Sequence, residues 1–172
     1  MVTIDDLAAE IGALSHRLAV AEAVLAVQGL KARYGELVDR RFSRGAVVDD
    51  ETLHDVAERI AALFTADGSW DGGPGLGRVE GRQAIAARLR DPTLRFSRHL
   101  FVNPRIEAHG LEARARWDLL TPCARPDGSS WWMCGYEDDE YRCVEGTWLH
   151  RSMKLTTVFM APAPGGWSPI LV

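Results

Sequence analysis

Ile4, Leu7, Ile11, Leu14, Leu18, Ala21 and Leu25 recur at alternating intervals of three and four residues, the spacing of an a/d seam sustained for about three heptads. The pattern predicts a long amphipathic helix whose apolar stripe packs on a neighbouring subunit or on the chain's own sheet. Gly29 is placed to loosen or end it. Leu30, Tyr34, Leu37, Val38 and Phe42 carry the period on, as a second helix or a continuation to about Arg41. Residues 43–52 lose the period and read as a loop. Leu53, Val56, Ala57, Ile60 and Phe64 then mark another helix, with Thr52 as its cap and Ala66-Asp67-Gly68 as its end. A short strand at 69–71 leads into GGPGLG, and residues 80–89 form a third helix stopped by Asp91-Pro92.

Beyond residue 95 the period changes from helical to alternating. A strand is expected over 95–102, interrupted at Asn103-Pro104 and resuming through Ala108, followed by a turn at His109-Gly110. Residues 112–120 put Ala113, Ala115, Trp117 and Leu119 on one face. A long loop over 122–130 precedes a strand at 131–144, and Glu145-Gly146 makes a tight hairpin into a last strand over 147–160, with 161–166 ending the regular structure. Helices first and antiparallel strands afterwards describe an α+β fold, with helices on one side of a curved, mostly antiparallel sheet enclosing a pocket.

Composition narrows the function. A chain of 172 residues with 47% hydrophobic residues fits a single domain, 1–172, with a helical extension at about 3–28. The formal charge of −4 offers no basic field for nucleic acid. Cys123, Cys134 and Cys143 are odd in number and lack metal-site spacing, which favours a reducing compartment. The acidic start argues against a signal peptide and no apolar run reaches the length of a membrane span, so the expectation is a soluble, cytoplasmic protein without membrane contact. GGPGLG lacks the strand-before, helix-after context of a dinucleotide site and reads as a turn at a pocket rim. Glu137, Asp138, Asp139 and Glu140 read as solvent-facing strand charge, and with no histidines beside them no metal is expected.

The candidate chemistry centres on His99, in the run RFSRHLFVNPRIE. Imidazole is the side chain that exchanges protons near neutrality, and Asp39 is its best acidic partner. Tyr34 and Asp39, five residues apart, differ in direction by about 140° on a helix and flank the face of Val38 and Phe42. In a dyad, Asp39 fixes the His99 tautomer, His99 acts as general base and Tyr34 donates to a developing oxyanion. Alternation sets His99 with Ser97, Phe101 and Asn103, opposite Phe96, Leu100, Val102 and Ile106. Asn103 is placed to contact substrate from the histidine's face, Trp117 and Trp132 to line an apolar cavity, and Phe42 to border it.

LKARYGELVDR, LFTADGSWD, EGRQAIAARL, FSRHLFVNPRIE and GYEDDEYRCVEGTWLHRS, in that order, resemble the SnoaL-like branch of the NTF2-like superfamily, nearest to the group of scytalone dehydratase, bile acid 7-alpha-dehydratase and hexachlorocyclohexane dehydrochlorinase. The resemblance spans about residues 25–160. It implies a cone-shaped barrel with a deep pocket, a homodimer or homotrimer, and catalysis without a cofactor. It implies that the family's helix aspartate is Asp39, its dyad histidine His99, the dehydratases' tyrosine Tyr34, and a basic residue late in the sheet Arg151. Loops 43–52 and 122–130 are longer than usual for the family. The resulting expectation is a cofactor-independent lyase of dehydratase type acting on a small or medium hydrophobic molecule. The same groups also serve an isomerase or a polyketide-type cyclase, and a non-catalytic ligand-binding module is the rival from another class.

Overall fold

The computed structural model describes residues 2–163 and Gly166. α1 runs unbroken over Ile4–Asp39. Thr3 and Asp6 cap it reciprocally, with Asp6 N–H donating to Thr3 Oγ1 (3.1 Å) and Thr3 N–H to Asp6 Oδ2 (2.9 Å), which satisfies two otherwise unpaired groups. Gly29 does not end the helix, because Val27, Leu30 and Tyr34 on either side are buried, and such packing outweighs the ~1 kcal/mol propensity cost of a glycine. Burial starts only at Ala23. The leading seam is exposed, from Ile4 at 85% to Leu18 at 60% and Leu25 at 66%.

The expected loop 43–52 is instead a hairpin, β1 (Phe42–Ser43) with β2 (Ala46–Val47). Arg44 and Gly45 hold φ of 48° and 68° at its tip, the paired left-handed residues a two-residue hairpin turn requires. Phe42 therefore lies past the helix. α2 is Asp50–Ala61, and its cap is Asp49 rather than Thr52, whose N–H and hydroxyl both donate to the Asp49 carboxylate at 2.9 Å. Phe64 opens β3 (Phe64–Asp71) instead of extending that helix. Its sheet register shifts between Phe64 and Ser69, so the irregular Ala66-Asp67-Gly68 segment lies inside a strand. β4 (Arg78–Glu80) and α3 (Arg82–Leu89) follow.

The remaining strands are β5 (Phe96–Ser97), β6 (Leu100–His109), β7 (Glu112–Ala124), β8 (Ser130–Val144) and β9 (Thr147–Pro162). β7 runs through Pro122, whose carbonyl accepts from Arg98 N–H at 3.1 Å, so the connection to β8 is only the tight turn at 125–129. Glu145 and Gly146, with φ of 50° and 79°, turn β8 into β9.

The sheet order is β4-β3-β9-β8-β7-β5, with β6 also on β7; β3 and β9 are parallel and the other pairs antiparallel. This corrects the expected barrel. Closure requires a hydrogen-bonded row between first and last strands, yet β4 pairs only with β3, while β5 and β6 share the far edge along β7. The sheet is open and curved, with α1 packed against β6 and β9 and α3 against β3. The core fills that concave side: Val27, Leu37, Ile60, Phe64, Ile85 and Met153 are at most 1% exposed.

Candidate active site

The sheet edge, α1 and α3 enclose a cavity of about 940 Å³, whose wall includes Tyr34, Val38, Phe42, Trp70, His99 and Glu137. The glycine-rich segment, closed by Gly72 N–H donating to Gly77 O at 2.9 Å, contributes to the same wall, in line with its reading as a rim turn.

The edge strand breaks at Arg98 and His99, between β5 and β6. Freed from the ladder, the His99 N–H donates to Asp39 Oδ1 at 3.0 Å, and His99 Nδ1 lies 2.7 Å from the same oxygen. Arg98 Nε sits 3.3 Å from Asp39 Oδ2. Asp39 is the last residue of α1, and its buried carboxylate is thus held by a backbone donor, an imidazole and a guanidinium, which is what a buried anion needs. With Nδ1–H on the carboxylate, Nε2 carries the lone pair. No described residue bonds Nε2, and the ring, stacked on Phe101 with centroids 6.0 Å apart, lines the cavity.

Tyr34, one turn and a half before Asp39, accepts from Trp70 Nε1 at 3.0 Å. Burial, and then the negative charge of Glu137, pushes the phenol well above its ordinary pKa. It remains neutral and able to donate.

The remaining sequence-derived contacts fall elsewhere. Phe42 lines the cavity, but Arg151 and Asn103 are exposed and outside its wall. Asn103, at φ 50°, marks the bulge between Val102 and Arg105 and donates to Asp118 at 3.1 Å. The bulge and the break at His99 disturb strict alternation. Trp117 is buried outside the cavity wall with Nε1 donating to the Tyr141 hydroxyl at 3.0 Å, and Trp132, on an interior strand, is 37% exposed and also outside the wall.

Glu137 and Asp139 are not solvent-facing. Alternation along β8 turns 135, 137, 139 and 141 inward, and both carboxylates clasp the fully buried ammonium of Lys31: Asp139 Oδ2 at 2.7 Å, and Glu137 Oε2 in closer contact. Tyr141 OH donates to Asp139 at 2.7 Å. Burial drags the Lys31 pKa down, but the two anions outweigh it and raise it. Asp139 is pushed up to about 6 by burial and by Glu137, against the pull of Lys31. His150, stacked on Phe64 at 5.0 Å, is held neutral, its pKa well below the usual value through burial and Lys31. The signal for this cluster was present: Lys31 falls on the buried stripe 27-30-31-34, and the acids sit at odd positions with Tyr141. Among the described residues no group of three or more histidines, cysteines or acids is arranged to hold a metal ion, and no helix is long and apolar enough to cross a membrane.

Solved structures share the fold. The hexachlorocyclohexane dehydrochlorinase LinA-type3 from Novosphingobium barchaimii is 19% identical, with a TM-score of 0.69 over 87% of this chain and 94% of that one. A proposed scytalone dehydratase from Novosphingobium aromaticivorans is 20% identical, with a TM-score of 0.66 over 83% and 89%. An NTF2-like protein with a cystatin-like fold from the latter organism is 22% identical, with a TM-score of 0.62 over 92% of both chains. No curated protein matches the sequence. Residues 19–154, which carry the helix aspartate, the edge histidine and nearly the whole sheet, match the SnoaL-like domain model, and the chain belongs to that family.

Proposed function

We propose that the protein is a cofactor-independent lyase of dehydratase type acting on a small or medium hydrophobic molecule, with His99 as base. The observation that carries this is the 2.7 Å contact between His99 Nδ1 and Asp39, with Nε2 unpaired at the cavity wall. In the reaction, Nε2 takes a proton from the carbon next to a carbonyl, and the C–H electron pair moves into an enolate. Tyr34 donates to the enolate oxygen, in a dry wall where such a bond is strongest. The enolate then re-forms the carbonyl and expels the β-hydroxyl, which leaves as water with the proton returned by His99. Asp39 stabilises the imidazolium between these steps without itself taking the proton.

Incubating β-hydroxy ketones in deuterated water tests this at its first step. Wild type should exchange the α-proton, and His99→Gln and Asp39→Asn should each slow exchange by about 10²–10⁴-fold. Exchange at equal rates in all three would refute the base and leave a binding module. Exchange without water loss would make the protein an isomerase or cyclase.

The exposed seam of α1 supports assembly of the chain with copies of itself, as a homodimer or homotrimer. The three free cysteines fit a reducing compartment such as the cytoplasm.

A further inference from the structure

Three polar side chains in the cavity wall are left with unused hydrogen-bonding capacity. Ser97 Oγ and Thr121 Oγ1 are buried, make no hydrogen bond, and belong to residues 2% and 1% exposed. Both residues line the cavity. Glu137, 3% exposed, lines it too. Its Oε2 is taken by Lys31, and no described residue donates to Oε1. Buried polar atoms in native proteins are nearly always paired, and those that are not call for a reason. A ligand in the cavity would supply the partners that Ser97 and Thr121 lack and would donate to Glu137 Oε1 as well.

The Glu137 carboxylate is also unusually well fixed. Lys31 is anchored from behind by Asp139, which is steadied by the Tyr141 hydroxyl, itself held by Trp117 Nε1 at 3.0 Å. One ammonium faces two carboxylates, so Glu137 keeps acceptor capacity towards a cavity whose wall also carries Arg41, Arg78, Arg88 and Lys154. Such a group rewards a hydrogen-bond donor. Ser97 and Thr121 lie towards the other end of β7: Ser97 pairs with Cys123, whereas Glu137 pairs with Trp117, four residues from Thr121 or about 13 Å along the strand.

We propose that Glu137 forms a binding subsite that selects ligands presenting a hydroxyl or amino donor over those that cannot donate, while Ser97 and Thr121 hold a second oxygen of the same ligand beside His99. The subsite belongs to the cavity of the proposed lyase, but recognition there does not depend on turnover.

Calorimetric titration with 2-naphthol and 2-methoxynaphthalene tests it, since the two share a skeleton and differ in the donor. Wild type should bind the naphthol at least tenfold tighter than the methyl ether. Glu137→Met removes the acceptor while leaving Lys31 paired with Asp139, and should bring the naphthol preference below threefold; His99→Gln should leave it intact. If circular dichroism shows Glu137→Met to be unfolded, Glu137→Gln takes its place and should lower the preference at least twofold, a neutral amide being a weaker acceptor than a carboxylate. Equal affinities for the two in wild type, no binding of naphthol, or a preference unchanged by loss of Glu137 would each overturn the subsite. Selectivity that survives in a protein failing the exchange test would fault the lyase reading alone.

Discussion

Replacing Lys31 with methionine strands two carboxylates in the core. The side chains of Lys31, Glu137 and Asp139 are 1%, 4% and 0% exposed, so water cannot take over the ammonium's role. Removing one partner of a buried pair costs about 3–5 kcal/mol, and here two anions lose their counter-charge and then repel each other, which places the loss in the upper part of that range. Against a total stability of about 5–15 kcal/mol this is severe. With a urea slope of about 2 kcal/mol per M, the midpoint should fall by about 2 M. The deficit also carries a signature in pH. Without Lys31 the Asp139 carboxyl, already raised to about 6, loses the cation that held it down, so protonation relieves the variant: its disadvantage is greatest at pH 7 and shrinks towards pH 5. Adding Asp139→Asn to Lys31→Met should restore at least half of the loss. Urea denaturation at pH 7 and pH 5 checks all of this. A midpoint within about 0.5 M of wild type, or a deficit as large at pH 5 as at pH 7, would refute the electrostatic account of the cluster.

His150, held neutral in the fold, contributes stability that is present above pH 6.5 and is lost as pH falls below it, by up to ~1.4 kcal/mol per pH unit. Asp139, raised to about 6, acts in the opposite sense, its contribution being lost as pH rises from about 4 to 6. His150→Phe removes only the first slope, so the variant should gain on wild type in denaturant titrations between pH 7 and 5; a constant gap would contradict this. Gly135→Ala would set a Cβ 2.3 Å from Thr156 O and 3.2 Å from Thr157 Cα, at the bulge where β8 changes register on β9. It should cost about 1–3 kcal/mol, and a melting temperature within about 2 °C of wild type would show that the strand accommodates it. If the seam of α1 drives assembly, Ile11→Glu with Leu18→Glu should lower the mass measured by light scattering without altering ligand binding, whereas an unchanged mass would exclude the seam.

The Asp39–His99 contact was legible because the two side chains are chemically matched, although the break in the strand at His99 and the end of α1 at Asp39, which let them meet, were not. The dividing line elsewhere is whether a signal is local. The Glu145-Gly146 hairpin depends on its own φ angles and was found, as were the helical stripes. Asp49 was passed over for Thr52 because both residue types cap helices and sit three apart, each bonding to the other. The barrel was overstated because pairing between a first and a last strand is decided by the curvature of the whole sheet. Charged residues on β8 were assigned to solvent because burial of an acid is ordinarily prohibitive; it is Lys31, more than a hundred positions away in sequence, that reverses the balance. Arg151 was placed by the family resemblance and Trp132 by its apolar bulk, and neither ground says which way a side chain faces on its strand.

α1 is a single rod from its Thr3 cap to Asp39, about 54 Å long at 1.5 Å per residue, and only its second half is embedded. Taking Val27 as the point where the body grips it, about 18 Å of helix lies between that pivot and the carboxylate. A tilt of only about 3° there would move Asp39 by about 1 Å, a misplacement that costs a catalytic group much of its effect. The projecting half is therefore a lever: whatever holds it, even far from the cavity, bears on the alignment of Asp39 with His99, and in the proposed lyase torque on the seam would be felt as a change in proton-transfer geometry.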